Sequence, residues 1–224
     1  TPVRVTVPTM RIDIFSDVIC PWCFIGKRRL ERAAEMAEGE FDLTVHWRPY
    51  QLDATIPPGG MDRKTYLENK FGGPERAQEI YSRIEAAGAG EGIDFNFDAI
   101  AISPNTLDAH RVVRWAGDAS PTMQAAVVEQ LFARFFLHGE NVGDHGVLVE
   151  AAGEAGMDGA EVRQWLESDR DAAETQAEAA RAAQIGVTGV PCFIFGRRVA
   201  VTGAHDPETL FMAMRQTAQE AQPN

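Results

Sequence analysis

Two stretches near the start of the chain alternate with a period of two. From Arg11, Ile12 and Ile14 fall on one side and Asp13 on the other, which predicts a strand ending around Asp17. Phe41, Leu43, Val45 and Trp47 alternate with Asp42, Thr44, His46 and Arg48, a second strand that Pro49 stops. Between them Pro21, with its preset φ and no donor to satisfy, suits the first position of a helix running through Leu30 and Met36 to Gly39. Cys20 then falls at or near the N-cap. Pro57-Pro58-Gly59-Gly60 marks a boundary, after which helical spacing dominates as far as Gly186. Ser103-Pro104 and Ser120-Pro121 each read as an N-cap followed by proline in the first turn, and Gly72-Gly73-Pro74 separates two earlier helices. Ile93, Phe95 and Phe97 suggest a short extended stretch. A further helix is expected from roughly Asp169 to Gln184. Met123, Val127, Leu131 and Phe135, with Val128, Phe132 and Phe136 beside them, form a wide stripe that reads as core rather than as a cofactor box. The strand signal returns at Phe193 to Phe195 and Val199 to Val201 around the turn Gly196-Arg197, and Asp206-Pro207 caps a last helix through Leu210 and Met214.

The order strand, helix, strand, helical insertion, strand, strand, helix is an α/β arrangement with a small sheet and a separate helical layer. With 224 residues, 45% of them hydrophobic, the chain can bury a full core. Its 33 acidic against 21 basic side chains leave a net charge of -12, which disfavours a phosphate backbone as partner. No apolar run approaches the roughly 18 residues of a membrane span, and Thr1 to Met10 holds no long apolar block. No membrane is therefore expected as a partner, and a cytoplasmic location is the expectation. Met10 could equally be the native start, and a removed leader would leave no trace.

Three cysteines do not make a disulfide framework. Two of them are clustered in Cys20-Pro21-Trp22-Cys23, and Cys192 stands far along the chain after Pro191. Thiols at this spacing can close a short ring, so the pair can attack, resolve and release a foreign disulfide. At the helix start Cys20 meets the positive end of the macrodipole and unpaired backbone N–H groups, which favour a thiolate, whereas Cys23 sits one turn inside. Cys20 is accordingly expected to attack and Cys23 to resolve the mixed disulfide. The alternatives are half of a zinc site and a structural bridge. Zinc wants four ligands, and only Cys192 and five isolated histidines remain, so no metal is expected. So short a loop would be an inefficient staple. Gly189-Val190-Pro191 before the third strand is the second site element, although proline at a strand start can be a plain junction.

Ile14-Phe15-Ser16-Asp17-Val18-Ile19-Cys20-Pro21-Trp22-Cys23-Phe24-Ile25-Gly26, with Gly186-Val187-Thr188-Gly189-Val190-Pro191, resembles the DsbA-type thioredoxin-fold oxidoreductases, in particular the FrnE-like branch named for polyketide biosynthesis. Ser103-Pro104-Asn105-Thr106 and Ala109-His110-Arg111 resemble that branch too, so the similarity covers nearly the whole chain from Met10. It implies a thioredoxin-like domain at 10–56 and 186–220 with a helical insertion at 57–185, a redox-active Cys20/Cys23 pair, and a cis proline at Pro191 facing it. Pro21, Trp22, Val190 and Pro191 are the expected substrate-binding residues. Partners implied are disulfide- or thiol-bearing proteins or small molecules, with glutathione as a candidate co-substrate and a homodimer left open. The related 2-hydroxychromene-2-carboxylate isomerases share the architecture and use glutathione, but serine usually stands where this chain has Cys20, which favours thiol exchange over that isomerisation. Cys192 departs from the pattern, since the branch usually carries an aromatic or aliphatic residue after the proline. Alternation along the strand turns it toward the core and Val190 toward the dithiol, so Cys192 reads as a buried hydrophobe, with a third redox partner as the sharper alternative. Asn105 and His110 could line a cleft, or be a first-turn residue and a satisfied face residue.

Overall fold

The computed structural model describes residues 7–221; Thr1 to Thr6, where a leader was looked for, lie outside them. Strand β1 (Thr9–Ser16) leads into α1 (Pro21–Met36), which crosses back to β2 (Asp42–Pro49). The two strands run parallel with Ile12 opposite Val45 and Ile14 opposite Trp47, the pairing a helical crossover permits. β5 (Cys192–Phe195) lies antiparallel on the other side of β1, and β6 (Val199–Thr202) closes the order β2-β1-β5-β6. The last helix, α9 (Pro207–Glu220), is capped by Asp206, whose side chain accepts the Thr209 N–H. This is the thioredoxin arrangement with β1 near its centre.

Between β2 and β5 the chain forms β3 (Met61–Asp62), α2 (Arg63–Phe71), α3 (Pro74–Gly90), β4 (Ile102–Ser103), α4 (Leu107–Ala119), α5 (Pro121–Phe136), α6 (His145–Glu154), α7 (Gly159–Leu166) and α8 (Ala172–Gln184). The insertion is thus not entirely helical: β3 and β4 pair as a two-residue antiparallel ladder. That ladder also displaces one expected cap. Ser103 is held in β4, Asn105 Oδ1 accepts the Leu107 N–H at 2.9 Å, and α4 begins only at Leu107. Phe95 and Phe97 do not form a strand; their rings stack 4.7 Å apart, and Phe97 opens a 3-10 turn. The helix expected from Asp169 starts at Ala172, because Asp171 sits at φ 55° with its carboxylate accepting the Trp115 indole N–H at 2.8 Å.

The stripe on α5 is core. Phe24 of α1 stacks on Phe132 at 5.1 Å between ring centroids and on Phe136 at 6.1 Å, while Trp47 of β2 meets Phe132 edge-on. One continuous cluster therefore contains Ile12, Ile14, Phe24, Phe132, Phe136 and Phe193, from both the sheet and the insertion. A smaller one gathers Phe15, Ala182, Val187 and Cys192 on the opposite face of β1 and β5.

Glu129 of α5 also ties the insertion to α1, lying 2.6 Å from Lys27 Nζ and accepting from Arg28 at 2.8 and 2.5 Å. Burial pushes this carboxyl up, but Arg28 and Lys27 outweigh it and hold it at about 2. A carboxyl lowered in the folded state adds stability above its ordinary value near 4.5, and that stability is lost as pH falls toward 2. Glu129→Gln should flatten the acid limb of a stability-against-pH curve in that window and leave its neutral limb less stable. Phe132→Ala, which empties the centre of the aromatic stack, should cost about 3–5 kcal/mol in urea denaturation.

Candidate active site

The loop after β1 brings the dithiol to the start of α1. Cys20 is extended at φ -92° and ψ 110° as the N-cap residue, its N–H bonded to the Asp17 carbonyl at 3.0 Å, and Pro21 opens the helix. The Cys23 N–H reaches the Cys20 carbonyl at 3.0 Å, so both thiols share one turn. Cys20, Cys23 and Cys192 are free thiols in this structure. Both members of the pair are buried, Cys20 at 4% exposure and Cys23 at 1%. Burial pushes the Cys23 thiol well up, Cys20 adds to this, and the Ser16 hydroxyl and the Asp17 backbone act the other way with less effect. Burial thus favours the protonated thiol at Cys23.

Pro191 follows a cis bond and is buried. It packs on the first turns of α1, where a Cβ on Gly26 would come within 2.9 Å of the Pro191 ring and 3.1 Å of Phe193. Only glycine leaves room there, a role for Gly26 that its place in the motif did not reveal. The Cys20 sulfur lies 3.8 Å from the Val190 carbonyl oxygen. Val190 thus faces the dithiol through its backbone, while its half-buried side chain packs against the core. Trp22 is 38% exposed beside the pair and Pro21 is buried in the helix start. Cys192 faces away, in the small cluster with Phe15 and Val187 and 3.7 Å from the Thr202 hydroxyl, and burial raises its thiol.

His110 and Asn105 take structural parts here. The His110 Nε2 lies 2.9 Å from the Tyr50 carbonyl oxygen, which can only accept, so that nitrogen carries a proton and also donates to Asp17 Oδ1 at 3.0 Å. Asp17 Oδ2 accepts the Leu52 N–H at 2.9 Å. A fully buried carboxylate is thereby satisfied by α4 and the loop after β2, three residues before Cys20. Asn105 Nδ2 donates to the Ile56 carbonyl at 2.7 Å. Among the described residues no three His, Cys, Asp or Glu side chains gather as a metal site, and no helix is long and apolar enough to cross a membrane.

In comparisons with known proteins, residues 11–215 match the model of the DSBA-like thioredoxin domain. A probable DsbA oxidoreductase from Streptomyces coelicolor is 32% identical with a TM-score of 0.85, over 96% of this chain and 92% of its own. Two more distant structures share the fold: a 2-hydroxychromene-2-carboxylate isomerase at 16% identity and TM-score 0.66, covering 95% of this chain and 100% of its own, and the cytosolic disulfide reductase DsbM from Pseudomonas aeruginosa at 18% and 0.61, covering 94% and 100%.

The arrangement generates two tests. At limiting iodoacetamide, mass spectrometry should find the label on Cys20 before Cys23, since Cys23 is deeper and held as a thiol; label arriving first on Cys23 would reverse the roles. Cys192→Ser should leave exchange rates near wild type and shift the melting temperature only modestly, and loss of exchange by a folded variant would make Cys192 a redox residue. Cys20 at the helix start, Cys23 one turn inside and Pro191 packed against that turn, together with the match over residues 11–215, place this chain in the family of DsbA-like thioredoxin-domain proteins.

Proposed function

We propose that the protein is a thiol:disulfide oxidoreductase or isomerase that exchanges disulfides with protein or small-molecule substrates through Cys20 and Cys23. The observation that carries this reading is the pair itself, one thiol at the N-cap and the other buried behind it, beside the free-standing face of Trp22. Cys20 attacks a foreign disulfide, giving a mixed disulfide and one released thiol; Cys23 then attacks the Cys20 sulfur and releases the second. Pro191 and the Val190 backbone are the wall against which an extended substrate segment would lie. The proposed location is a reducing compartment such as the cytoplasm, and glutathione is the proposed co-substrate. DsbM, of the same fold, is a cytosolic disulfide reductase and is known with GSH. The cysteine at position 20 argues against the glutathione-linked isomerisation, because an attacking thiolate there would be captured by any disulfide.

Insulin reduction and refolding of a scrambled disulfide protein test the activity. Cys20→Ser should abolish both, whereas Cys23→Ser should accumulate mixed disulfides; activity retained by Cys20→Ser would sink the reading. The potential, titrated against glutathione, should fall between roughly -270 and about -120 mV and nearer the reducing end, since Trp22 brings no charge to the pair. Trp22→His should raise it; a wild-type value at the oxidising end, unmoved by that change, would refute the role given to Trp22.

A further inference from the structure

The two outer strands of the sheet end differently. β2 is closed by the chain itself: α4, α5 and α8 lie along it, and the Gln124 amide accepts the Trp47 N–H at 2.8 Å and donates to the Trp47 carbonyl at 3.2 Å. β6, on the other side, pairs with β5 alone. The Gly203 N–H donates to the Pro191 carbonyl at 2.7 Å, so this pair points into the sheet, and the alternation of an antiparallel ladder turns the N–H and C=O of Ala200 and Thr202 outward. The Thr202 carbonyl takes the His205 Nε2 at 2.9 Å. The Ala200 N–H and C=O and the Thr202 N–H have no such cover among the described residues. Open edges are usually blunted by a charge or a proline, and Val199-Ala200-Val201-Thr202 contains neither.

Beside this edge runs a groove of about 610 Å³ between β6 and α9, lined by Val199, Val201, Thr209, Met212 and Gln216. Val199 and Val201 are half-buried, and Met212 is 58% exposed, a large apolar side chain that a lone copy leaves in water. Charge is ordered along the strand. Arg197 and Arg198 precede it, Asp206 and Glu208 follow it, and all four are exposed. We infer that β6 is a dimer interface, on which a second copy of this chain pairs antiparallel about a two-fold axis at Ala200. Each Ala200 N–H then donates to the Ala200 carbonyl of the other copy, and the basic end of each strand meets the acidic end of its mate. That self-complementary order selects a second copy over an unrelated strand, and it offsets locally the repulsion between two chains of net charge -12. Four paired residues fall short of the roughly 800 Å² per partner of a stable interface, so the α9 groove and Met212 supply the rest. Because β6 runs in the direction of β1, the pairing sets the two dithiols at opposite ends of one continuous sheet, each open to substrate.

The test is sedimentation equilibrium of the full chain with its thiols kept reduced, which should show a reversible monomer–dimer equilibrium. Ala200→Pro removes the outward N–H at an edge position that tolerates proline, and should raise the dimer dissociation constant by about 10- to 100-fold, as expected for two lost backbone hydrogen bonds. Arg198→Glu and Glu208→Arg should each weaken association by about 5-fold or more, since every contact occurs twice across the axis. An equimolar mixture of these two variants should recover wild-type association, because both contacts in the mixed dimer are again of opposite sign; this arm holds if Ala200→Pro does not fold. A chain that stays monomeric at about 100 µM would overturn the interface. So would a dimer indifferent to Ala200→Pro and to both charge reversals, or charge variants that fail to recover on mixing. None of these outcomes bears on exchange through Cys20 and Cys23.

Discussion

The contact between Pro191 and the first turns of α1 is the constraint on which the rest depends. A side chain at position 26 would stand 2.9 Å from the proline ring, so the glycine sets how closely the β5 entry can lie on the dithiol helix. Because β5 pairs with β1 from Ile12 to Phe15, and β1 carries Cys20 at its exit, that approach fixes both sides of the site through one strand pair. It also brings the Val190 carbonyl toward the Cys20 sulfur.

The insertion is not an independent cap laid over this frame. Phe24, one residue after Cys23, is stacked into α5, so the helix bearing the thiols takes its packing from the insertion as much as from the sheet. The buried Asp17 carboxylate makes the same link in polar form, receiving His110 from α4 and Leu52 from the loop after β2. Removing either donor would leave part of a buried charge unsatisfied directly below the dithiol, which costs more than the bond itself contributes.

The sheet strands, the dithiol at its helix start and the core stripe on α5 were legible in the chain because each rests on local rules, periods of two and 3.6 and a proline at N1, whereas local rules made Pro191 a plain strand junction and only the family resemblance pointed to its cis bond. The parts that were not legible depend on partners far along the sequence. Asp17 and His110 are 93 positions apart, and nothing near either one announces the other. The late start of α8 follows from Asp171 being held by Trp115, and the late start of α4 from Ser103 being engaged with Met61. The FrnE-like detail rests on the motif residues alone.

The cations on α1 are answered by acids from outside that helix. Arg28 is answered by Glu129, and Arg29 and Arg32 by Glu91 at 2.8 and 3.0 Å. All of them lie more than a turn beyond Cys23, in the middle of the helix. Each is neutralised where it stands, and α1 itself has no acid in its first turn. The pairing of these cations leaves the first turn of α1 with its free backbone N–H groups as the nearest source of positive potential to Cys20 on its own helix.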